Sequence, residues 1–306
     1  MKTQWLGRLR PMTNATRQAL VGYIFISPFI LGFLLWQFIP MVTSAWMAFQ
    51  DWNMISAPHF VFLDNFSTIF HDELFWQSLK VTAVYSLISV PIGLVLSFCA
   101  ALLLNTKVSG IGIFRTFYYL PVVVPSVAGA LLWAWMLNTE FGLVNLVLRS
   151  VGLPKVHWLI DPNLALLSLI MVSLWSSIGG AMVIFLAGLQ GVDNMYYEAA
   201  EMDGAGYWAK LWYVTIPLVS PVIFFNLIMG IIGSFQVFSA GYLITGGGPN
   251  NATLFYVLHI YRVGFMYLKM GQASALAWVL FVIVMSLVAL IFRYFSRSVY
   301  HEAKTA

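Results

Sequence analysis

The sequence predicts an all-α integral membrane protein with six transmembrane helices. Hydrophobic residues make up 61% of its 306 residues and charged residues only 8%, and the mean hydropathy is +0.86. Soluble domains are about half apolar and about a quarter charged, so this composition excludes a soluble protein. Because a central Asp, Lys or Arg costs a membrane helix about 2.5 to 3.5 kcal/mol, charge-free stretches of about 20 residues mark the spans. Six stretches meet this criterion: 20–46, 81–104, 116–137, 164–189, 214–243 and 271–292.

The first and fifth spans need separate justification. Basic residues precede the first span and no small-residue cleavage site follows it, so we expect it to be retained rather than removed as a signal peptide. The charge-free stretch 211–261 is long enough for two helices, but the glycines, proline and asparagines at 246–251 divide it into one span and a loop. Prolines inside the predicted spans are expected to kink them: Pro28, Pro91, Pro125 and Pro221.

The distribution of Lys and Arg predicts how the helices are oriented. Six spans place both termini on one side of the membrane. Ten of the 15 Lys and Arg residues fall in the two tails and in the loops on the same side, and five fall on the opposite side. Since cytoplasmic segments are enriched in Lys and Arg, we expect both termini to be cytoplasmic.

The loop predicted between spans four and five is unusually acidic. It carries four of the eleven Asp and Glu residues and a single basic residue, Lys210. The acidic residues are Asp193, Glu198, Glu201 and Asp203. Acidic residues contribute little to topology, so this loop does not change the predicted orientation, but it requires another explanation. One explanation is a solvated loop that its acidic side chains keep hydrated. The other is a docking element for a partner.

The same loop has the signals of a short amphipathic helix. Asp193 is placed to accept hydrogen bonds from the backbone amides two or three residues further on. Met195, Ala199 and Met202 then fall on one face, with the glutamates on another. Two glycines, Gly204 and Gly206, are expected to end the helix by adopting positive φ.

Two motifs in this part of the chain resemble a known family. The run YEAAEMDGAG at 197–206, followed by Thr-Ile-Pro-Leu at 215–218, resembles the EAA loop of permease subunits of binding-protein-dependent ABC importers. Its DGAG and IPL portions resemble the carbohydrate importers of the maltose type. Thr-Gly-Gly-Gly-Pro at 245–249, with Tyr261, Arg262 and Phe265, resembles the loop before the last span of maltose-type permeases.

The resemblance implies a fold and a domain organisation. The fold is the type I ABC importer transmembrane domain, and the resemblance covers about residues 77–293. We therefore divide the chain into a cytoplasmic tail 1–19, a first helix and extracytoplasmic loop 20–76, a five-helix core 77–293 and a cytoplasmic tail 294–306. The coupling loop is 190–213. The expected location is the cell membrane of a prokaryote, as a multi-pass protein.

The resemblance also implies partners and coupling residues. A second homologous permease, two copies of a cytoplasmic ABC ATPase and an extracytoplasmic solute-binding protein would complete the importer. The helix containing Glu198 would dock into a cleft on the ATPase, where Glu198 can pair with a basic residue. The coupling residues are Glu198, Ala199, Ala200, Asp203 and Gly204. ATP and Mg would be bound by the ATPase partners, and no cofactor by this chain.

Several kinds of active site have no signal in the sequence. The chain has no phosphate-binding G-x-x-x-x-G-K-[ST] motif and a single cysteine, Cys99. The predicted spans contain no Asp, Glu, Lys or Arg, which ion-coupled transporters generally need at membrane depth. The five histidines lie outside the spans without metal-ligand spacing. We therefore predict no catalytic residue and no metal site, and an energy source on a partner.

Small and polar residues in spans four and five are the candidates for the solute path. They are Ser173, Trp175, Ser176, Ser177, Gly180, Gly230, Ser234 and Gln236. Such stripes also serve close helix packing, and that alternative stays open. The resemblance implies that the middle of these spans lines a sugar site. The maltose permease is richer there in Asn and Tyr, which puts maltose in doubt and suggests a larger or differently shaped saccharide.

The remaining expectations concern loops and alternatives. Gly247, Gly248, Pro249 and Asn250 would face the binding protein, as would the loop 140–161. The first alternative function is an ABC permease for another solute, such as glycerol phosphate or a polyamine. The second is a channel or secondary carrier, which would not need ATP.

Overall fold

Long apolar helices account for most of the chain. The structure is a computed structural model that describes residues 14–106 and 108–295. Residues 1–13 and 296–306 of the predicted tails, and Lys107, lie outside the described residues. The helices are α1 (Asn14–Phe33), α2 (Ile39–Met47), α3 (Asp64–His71), α4 (Glu73–Leu104), α5 (Ile111–Val123), α6 (Ser126–Met136), α7 (Leu143–Ser150), α8 (Pro162–Gln190), α9 (Asn194–Met202), α10 (Tyr207–Lys210), α11 (Ile216–Phe235), α12 (Tyr256–Tyr261) and α13 (Met270–Phe295).

Short segments complete the architecture. Among the described residues, four π-helical turns extend or join helices, at Leu34–Phe38, Leu211–Thr215, Gly241–Thr245 and Arg262–Met266. Strands β1 (Gln50–Asp51) and β2 (His59–Phe60) form a small antiparallel pair after the first span, with Gln50 opposite Phe60. The first span is thus one helix from α1 to α2, and the fifth runs from α10 through a π-turn into α11.

Five helical stretches are long and apolar enough to cross a membrane, by length and composition, in the described chain. They are Arg17–Met47, Glu73–Leu104, Pro162–Gln190, Tyr207–Phe235 and Met270–Phe295. A sixth span exists if the bent pair α5 and α6 is counted as one. The six predicted apolar stretches therefore all correspond to helices, and the predicted fold class is confirmed.

The kink expected at Pro125 in the third predicted span, 116–137, is confirmed, and it is a full break between two helices. Helices α5 and α6 meet at an angle of 95°. The chain breaks at Val124, which is extended (φ −69°, ψ 125°), and Pro125 precedes the first residue of α6. Proline lacks a backbone N–H and disfavours helical geometry in the residue before it, which explains the break.

The fifth predicted span, 214–243, ends too late. Helix α11 ends at Phe235, and Gln236 has left helical geometry (φ −103°, ψ 12°). The residues that follow, 236–243, are also uncharged, so a rule based on charge does not detect the end of the helix. The chain then continues into the π-turn Gly241–Thr245.

The core is built around α4 and α8, with α11 packed against both. Near the end of α8, Met182 and Phe185 are fully buried against Ala101 of α4 and Val219 of α11. Glycines allow the closest approaches: a Cβ at Gly179 would lie 2.2 Å from the Tyr118 carbonyl oxygen, where α5 crosses α8. We call the end of the bundle where α8 meets α9 the α9 end, and the opposite end the α12 end.

The first span stands apart from this core. No described side chain before Ala48 is buried. Its last part, α2, packs against α13, and α1 continues beyond that contact. The apolar surface of α1 is therefore available to lipid or to another subunit.

Candidate functional site

The predicted amphipathic helix is α9, and its start is capped as expected. The Asp193 carboxylate accepts a hydrogen bond from the Met195 amide at 2.9 Å, which satisfies a backbone donor at the helix start. Gly204 follows the helix with φ +78°, and the Ala205 amide donates to the Ala200 carbonyl at 2.9 Å. The expectation for Gly206 was wrong. It is extended (φ −73°, ψ 176°) and precedes α10, because one left-handed residue is enough to reverse the chain.

Helix α9 attaches to the base of the fifth span through one face. Tyr197 and Ala200 are half-buried, and the Tyr197 hydroxyl lies 3.2 Å from the Thr215 hydroxyl in the π-turn before α11. The opposite face is open: Met195 and Met202 are 62% and 89% exposed, and Ala199 is exposed beside them. The two alanines of the motif therefore differ, since Ala200 packs inward and Ala199 lies on the surface.

The acidic residues of the loop also differ. Lys210 donates to Glu201, so this acid is neutralised within the chain. In the described part of the chain, the exposed Glu198 and Asp203 carboxylates make no ion pair. The open face of α9 therefore combines flexible methionines with uncompensated negative charge, which suits a partner with a basic residue beside an apolar cleft.

Two cavities lie along the predicted solute path. The inner chamber, nearer the α9 end, has a volume of about 310 Å³ and is lined by α4, α8 and α11. The outer chamber, nearer the α12 end, has a volume of about 420 Å³ and is lined by α5, α6, α8, the segment after α11 and Tyr85 of α4. Among the described residues, no Asp, Glu, Lys, Arg or His lines either chamber.

The structure divides the predicted path residues between the chambers. Ser173 lines both. The inner chamber also contains Ser177, Gly230 and Ser234, and the outer chamber contains Trp175, Ser176 and Gln236.

The two glycines among the predicted path residues are placed differently. Gly180 is not among the residues that line the chambers. A Cβ at Gly230 would lie 3.1 Å from Val90 Cγ1, so this glycine also brings α11 close to α4.

Sequence reasoning missed the contribution of α4. Tyr85, Ser89, Gly93 and Ser97 all line the inner chamber. They recur at every fourth position, a helical periodicity that could have identified this face from the sequence. Of these, the Ser97 hydroxyl is buried without a hydrogen-bond partner in the described chain.

A tryptophan of α6 was missed as well. Trp133 meets Trp175 edge to face in the outer chamber, with ring centroids 5.6 Å apart and an interplanar angle of 71°. No periodic signal singles it out, because α6 and α8 meet only after the chain has bent at Pro125.

The loop 246–251 is held by Arg262. The guanidinium donates to the Gly246 carbonyl and, at 3.2 Å, to the Asn251 side chain. Gly247 is buried under it, since a Cβ there would lie 2.7 Å from Arg262 Nη2. Gly248 and Pro249 are half-buried and joined by a cis peptide bond, and Asn250 is exposed. Only part of this loop can therefore present side chains outward.

The described residues contain no group of three or more His, Cys, Asp or Glu that could hold a metal ion. His259 is buried near the Asp72 carboxylate at 3.7 Å, at the α12 end. Burial lowers the pKa of His259, the Asp72 charge opposes that effect, and Arg262 adds to it.

Comparisons with known proteins agree on one family. A family model described as "Binding-protein-dependent transport system inner membrane component" matches residues 89–299. The chain is 42% identical over 301 residues to the "Probable ABC transporter permease protein YesP" of Bacillus subtilis (strain 168), with 97% of each chain covered. It is 32% identical over 274 residues to the "Trehalose/maltose transport system permease protein MalF" of Thermococcus litoralis, covering 88% of this chain and 92% of the relative.

A solved structure shares the fold. It is the crystal structure of a bacterial alginate ABC transporter in complex with alginate pentasaccharide-bound periplasmic protein. The TM-score is 0.81 at 24% sequence identity, and the match covers 94% of this chain and 98% of the other.

Proposed function

Since the chain belongs to the family of binding-protein-dependent transport system inner membrane components, which are non-catalytic, multi-pass membrane subunits of ABC importers, we propose that it forms half of the translocation path for a saccharide. The saccharide would be delivered by an extracytoplasmic solute-binding protein, and ATP would be hydrolysed by two cytoplasmic partner subunits. The core would be residues 77–293 with the coupling loop 190–213, and both termini would be cytoplasmic.

The observation that carries the proposal is the chemistry of the two chambers. Hydroxyls of Ser173, Ser176 and Ser177, the Gln236 amide and the Trp175 ring line them without a charged group. Hydroxyls and amides can exchange hydrogen bonds with sugar hydroxyls, and indole faces suit the apolar faces of sugar rings. The trehalose and maltose named for the archaeal relative belong to this class of solute. An anionic solute such as a glycerol phosphate would favour a cation in the path.

Exposed polar side chains in or next to the membrane-spanning helices support the presence of a second permease subunit. Ser176 and Ser177 are exposed although they belong to an apolar helix long enough to cross the membrane, and Gln236 is exposed just after the end of another. Polar side chains in lipid are unfavourable, so they should face a protein partner or a water-filled cavity. The exposed first span offers a further surface to the same partner.

The coupling role rests on α9. Its open face would enter the ATPase cleft with Glu198 against a basic residue, while Ala200 and Tyr197 keep the helix on the fifth span. Asp203 and Gly204 end the helix, so they fix where the docked face stops. Closure of the ATPases could then move α9 and α11 together and rock the bundle.

The test is transport by the complete importer in proteoliposomes. Uptake of labelled neutral mono- to oligosaccharides should require ATP and the binding protein and should be blocked by vanadate. Sn-glycerol 3-phosphate and a polyamine serve as competitors of the alternative classes. Uptake that persists without ATP would contradict the importer, and selective competition by the phosphate or the polyamine would contradict the saccharide.

A further inference from the structure

The two chambers share three residues. Tyr85 of α4, Ser173 of α8 and Val237 after α11 line both cavities, and every other lining residue belongs to one of them. The three come from three separate segments of the chain. They therefore lie at the boundary between the chambers rather than along one wall.

The order of contacts along each segment gives the same boundary. On α4 the outer chamber touches only Tyr85, and the inner chamber touches residues from Tyr85 to Ser97, toward the α9 end. On α8 the outer chamber spans 172–176 and the inner chamber 173–181. After α11 the order reverses as the chain direction requires, with the inner chamber ending at Val237 and the outer chamber continuing to Ile244.

A hydrogen bond joins α4 to α8 at this boundary. The Tyr85 hydroxyl donates to the Ser173 hydroxyl at 2.5 Å, and Tyr85 is only 3% exposed. Its ring meets the fully buried Phe255 edge to face, with centroids 5.0 Å apart. Phe255 is itself fixed, since a Cβ at Gly241 would lie 2.5 Å from its Cδ2. The ring is therefore anchored from behind, and the contact to Ser173 is the part that can open.

We propose that the Tyr85 side chain separates the two chambers, and that a solute passes between them only when the hydrogen bond from the Tyr85 hydroxyl to Ser173 is broken. The proposal rests on the proposed function as a solute path. A hydroxylated solute suits this step, because a sugar hydroxyl can accept from Tyr85 while another donates to Ser173, so that no buried polar group is left unpaired.

Neighbouring cysteines on α8 can report on the two chambers separately. In the assembled complex with Cys99→Ala, Ser177→Cys would probe the inner chamber and Ser176→Cys the outer one. A membrane-impermeant methanethiosulfonate is added from the α9 side, without nucleotide and with ATP and vanadate. In at least one of these states Ser177→Cys should react at least ten times faster than Ser176→Cys.

Variants of Tyr85 then test the boundary itself. Tyr85→Ala should raise the rate at Ser176→Cys about tenfold or more and leave Ser177→Cys within twofold. Tyr85→Phe keeps the ring and should produce a smaller increase, and Tyr118→Phe, an exposed tyrosine of α5, should produce none. Complexes are compared only when they retain their ATPase activity, which separates this effect from misfolding.

Two results would overturn the proposal. One is equal reactivity of the two cysteines in both nucleotide states, and the other is an unchanged rate at Ser176→Cys after Tyr85→Ala. Labelling uses no saccharide, so it is independent of the transport test. Failure of saccharide uptake with the labelling pattern intact would reject the proposed solute and leave the boundary in place.

Discussion

The two ends of the helix bundle satisfy their polar groups in opposite ways. At the α12 end, the loop 246–251 is bonded within the chain: the Gly247 amide donates to the Gly241 carbonyl at 2.9 Å, and the Thr253 hydroxyl donates to the Gly248 carbonyl at 2.6 Å. Arg262 adds two further contacts. At the α9 end, Glu198 and Met202 are exposed on a helix that touches the chain through its other face.

The difference indicates which end depends on a partner. Polar groups that are paired within the chain keep a segment in place without a partner, as at Arg262. An exposed apolar and acidic face gains its stability from whatever covers it, as on α9. Substitutions at the α12 end should therefore change the stability of this subunit, and those at the α9 end should change its assembly and coupling.

Charge reversal at Glu198, on the open face of α9, should reduce assembly with the ATPase more than any other proposed substitution. Glu198→Lys places a cation against the basic residue proposed on the ATPase, and loss of such a pair costs about 3 kcal/mol, or more than a hundredfold in affinity. Retention of the ATPase on the purified permease, and uptake, are the measurements. The thermal midpoint of the permease alone should not change.

Glu201→Gln is the matched control on the same helix. It breaks the ion pair to Lys210, which is partly exposed and worth about 0.2 to 1 kcal/mol. Retention of the ATPase should fall far less than with Glu198→Lys. Equal losses for the two variants would show that α9 is merely an acidic surface, and the distinction between its two glutamates would be wrong.

Removal of Arg262 should give the second largest effect, at the opposite end. Arg262→Ala removes two charge-assisted contacts to the loop 246–251, and hydrogen bonds to charged groups contribute about 1.5 to 3 kcal/mol. We expect a loss of about 2 kcal/mol, measured as a lower thermal midpoint in detergent. Arg149→Ala, at an exposed position on α7, should leave the midpoint unchanged. A stable Arg262→Ala permease would remove the contrast between the two ends.

Acidification should weaken the α12 end through His259. Its pKa is lowered by burial, so the folded protein holds the imidazole neutral where the unfolded chain binds a proton. The contribution of His259 to the free energy of unfolding is therefore fully present above the pKa of an unfolded histidine, about 6.5. It is lost as the pH falls through the lower pKa of the folded protein, by at most about 1.4 kcal/mol per pH unit. The thermal midpoint measured from pH 7.5 to 5 should fall.

A pair of histidine variants tests whether His259 causes this dependence of the thermal midpoint on pH. His259→Gln should flatten it, and His71→Gln, at an exposed position of α3, should leave it as in the wild type. Two charged neighbours bear on the result: Asp72, with its carboxylate 3.7 Å from the ring, and Arg262. If the thermal midpoint of His259→Gln still falls with pH as in the wild type, a group other than His259 causes the effect.

Local physics explains why most spans and the α9 cap were predictable. The cost of a charge in lipid acts residue by residue, so charge-free gaps mark helices without knowledge of their neighbours. Asp193 likewise caps a helix that begins one residue later. Proline shows the limit: Pro28, Pro91 and Pro221 lie within helices, whereas Pro125 separates two. Proline chemistry is compatible with both outcomes, so the residue type alone does not identify which proline breaks a helix.

The path was only half predictable for a related reason. The serines of α8 stand out because they interrupt an apolar helix. The role of Tyr85 depends on its contact with Ser173 of α8, which lies 88 residues further along the chain. Without the tertiary contact, a tyrosine in a span is as easily a core or lipid-facing residue.

The smallest expected effect compares two glycines at the α9 end. Gly204 has φ +78° and Gly206 has φ −73°, and neither has a heavy atom within 4 Å of the place a Cβ would occupy. Space is therefore equal, and only the backbone differs. Left-handed geometry costs a residue with a Cβ about 1 to 2 kcal/mol, so Gly204→Ala should shift the end of α9 and reduce coupled uptake severalfold.

Gly206→Ala is the control, because any residue can adopt its extended geometry. It should retain wild-type uptake and the same maximal ATPase stimulation by the binding protein. Since Gly204 ends a helix whose working face is directed at a partner, its strain should appear in coupling before it appears in the thermal midpoint of the permease. Equal effects of the two alanines on uptake would show that the partner is sensitive to the size of this turn rather than to its backbone conformation. The special role proposed for Gly204 would then be wrong.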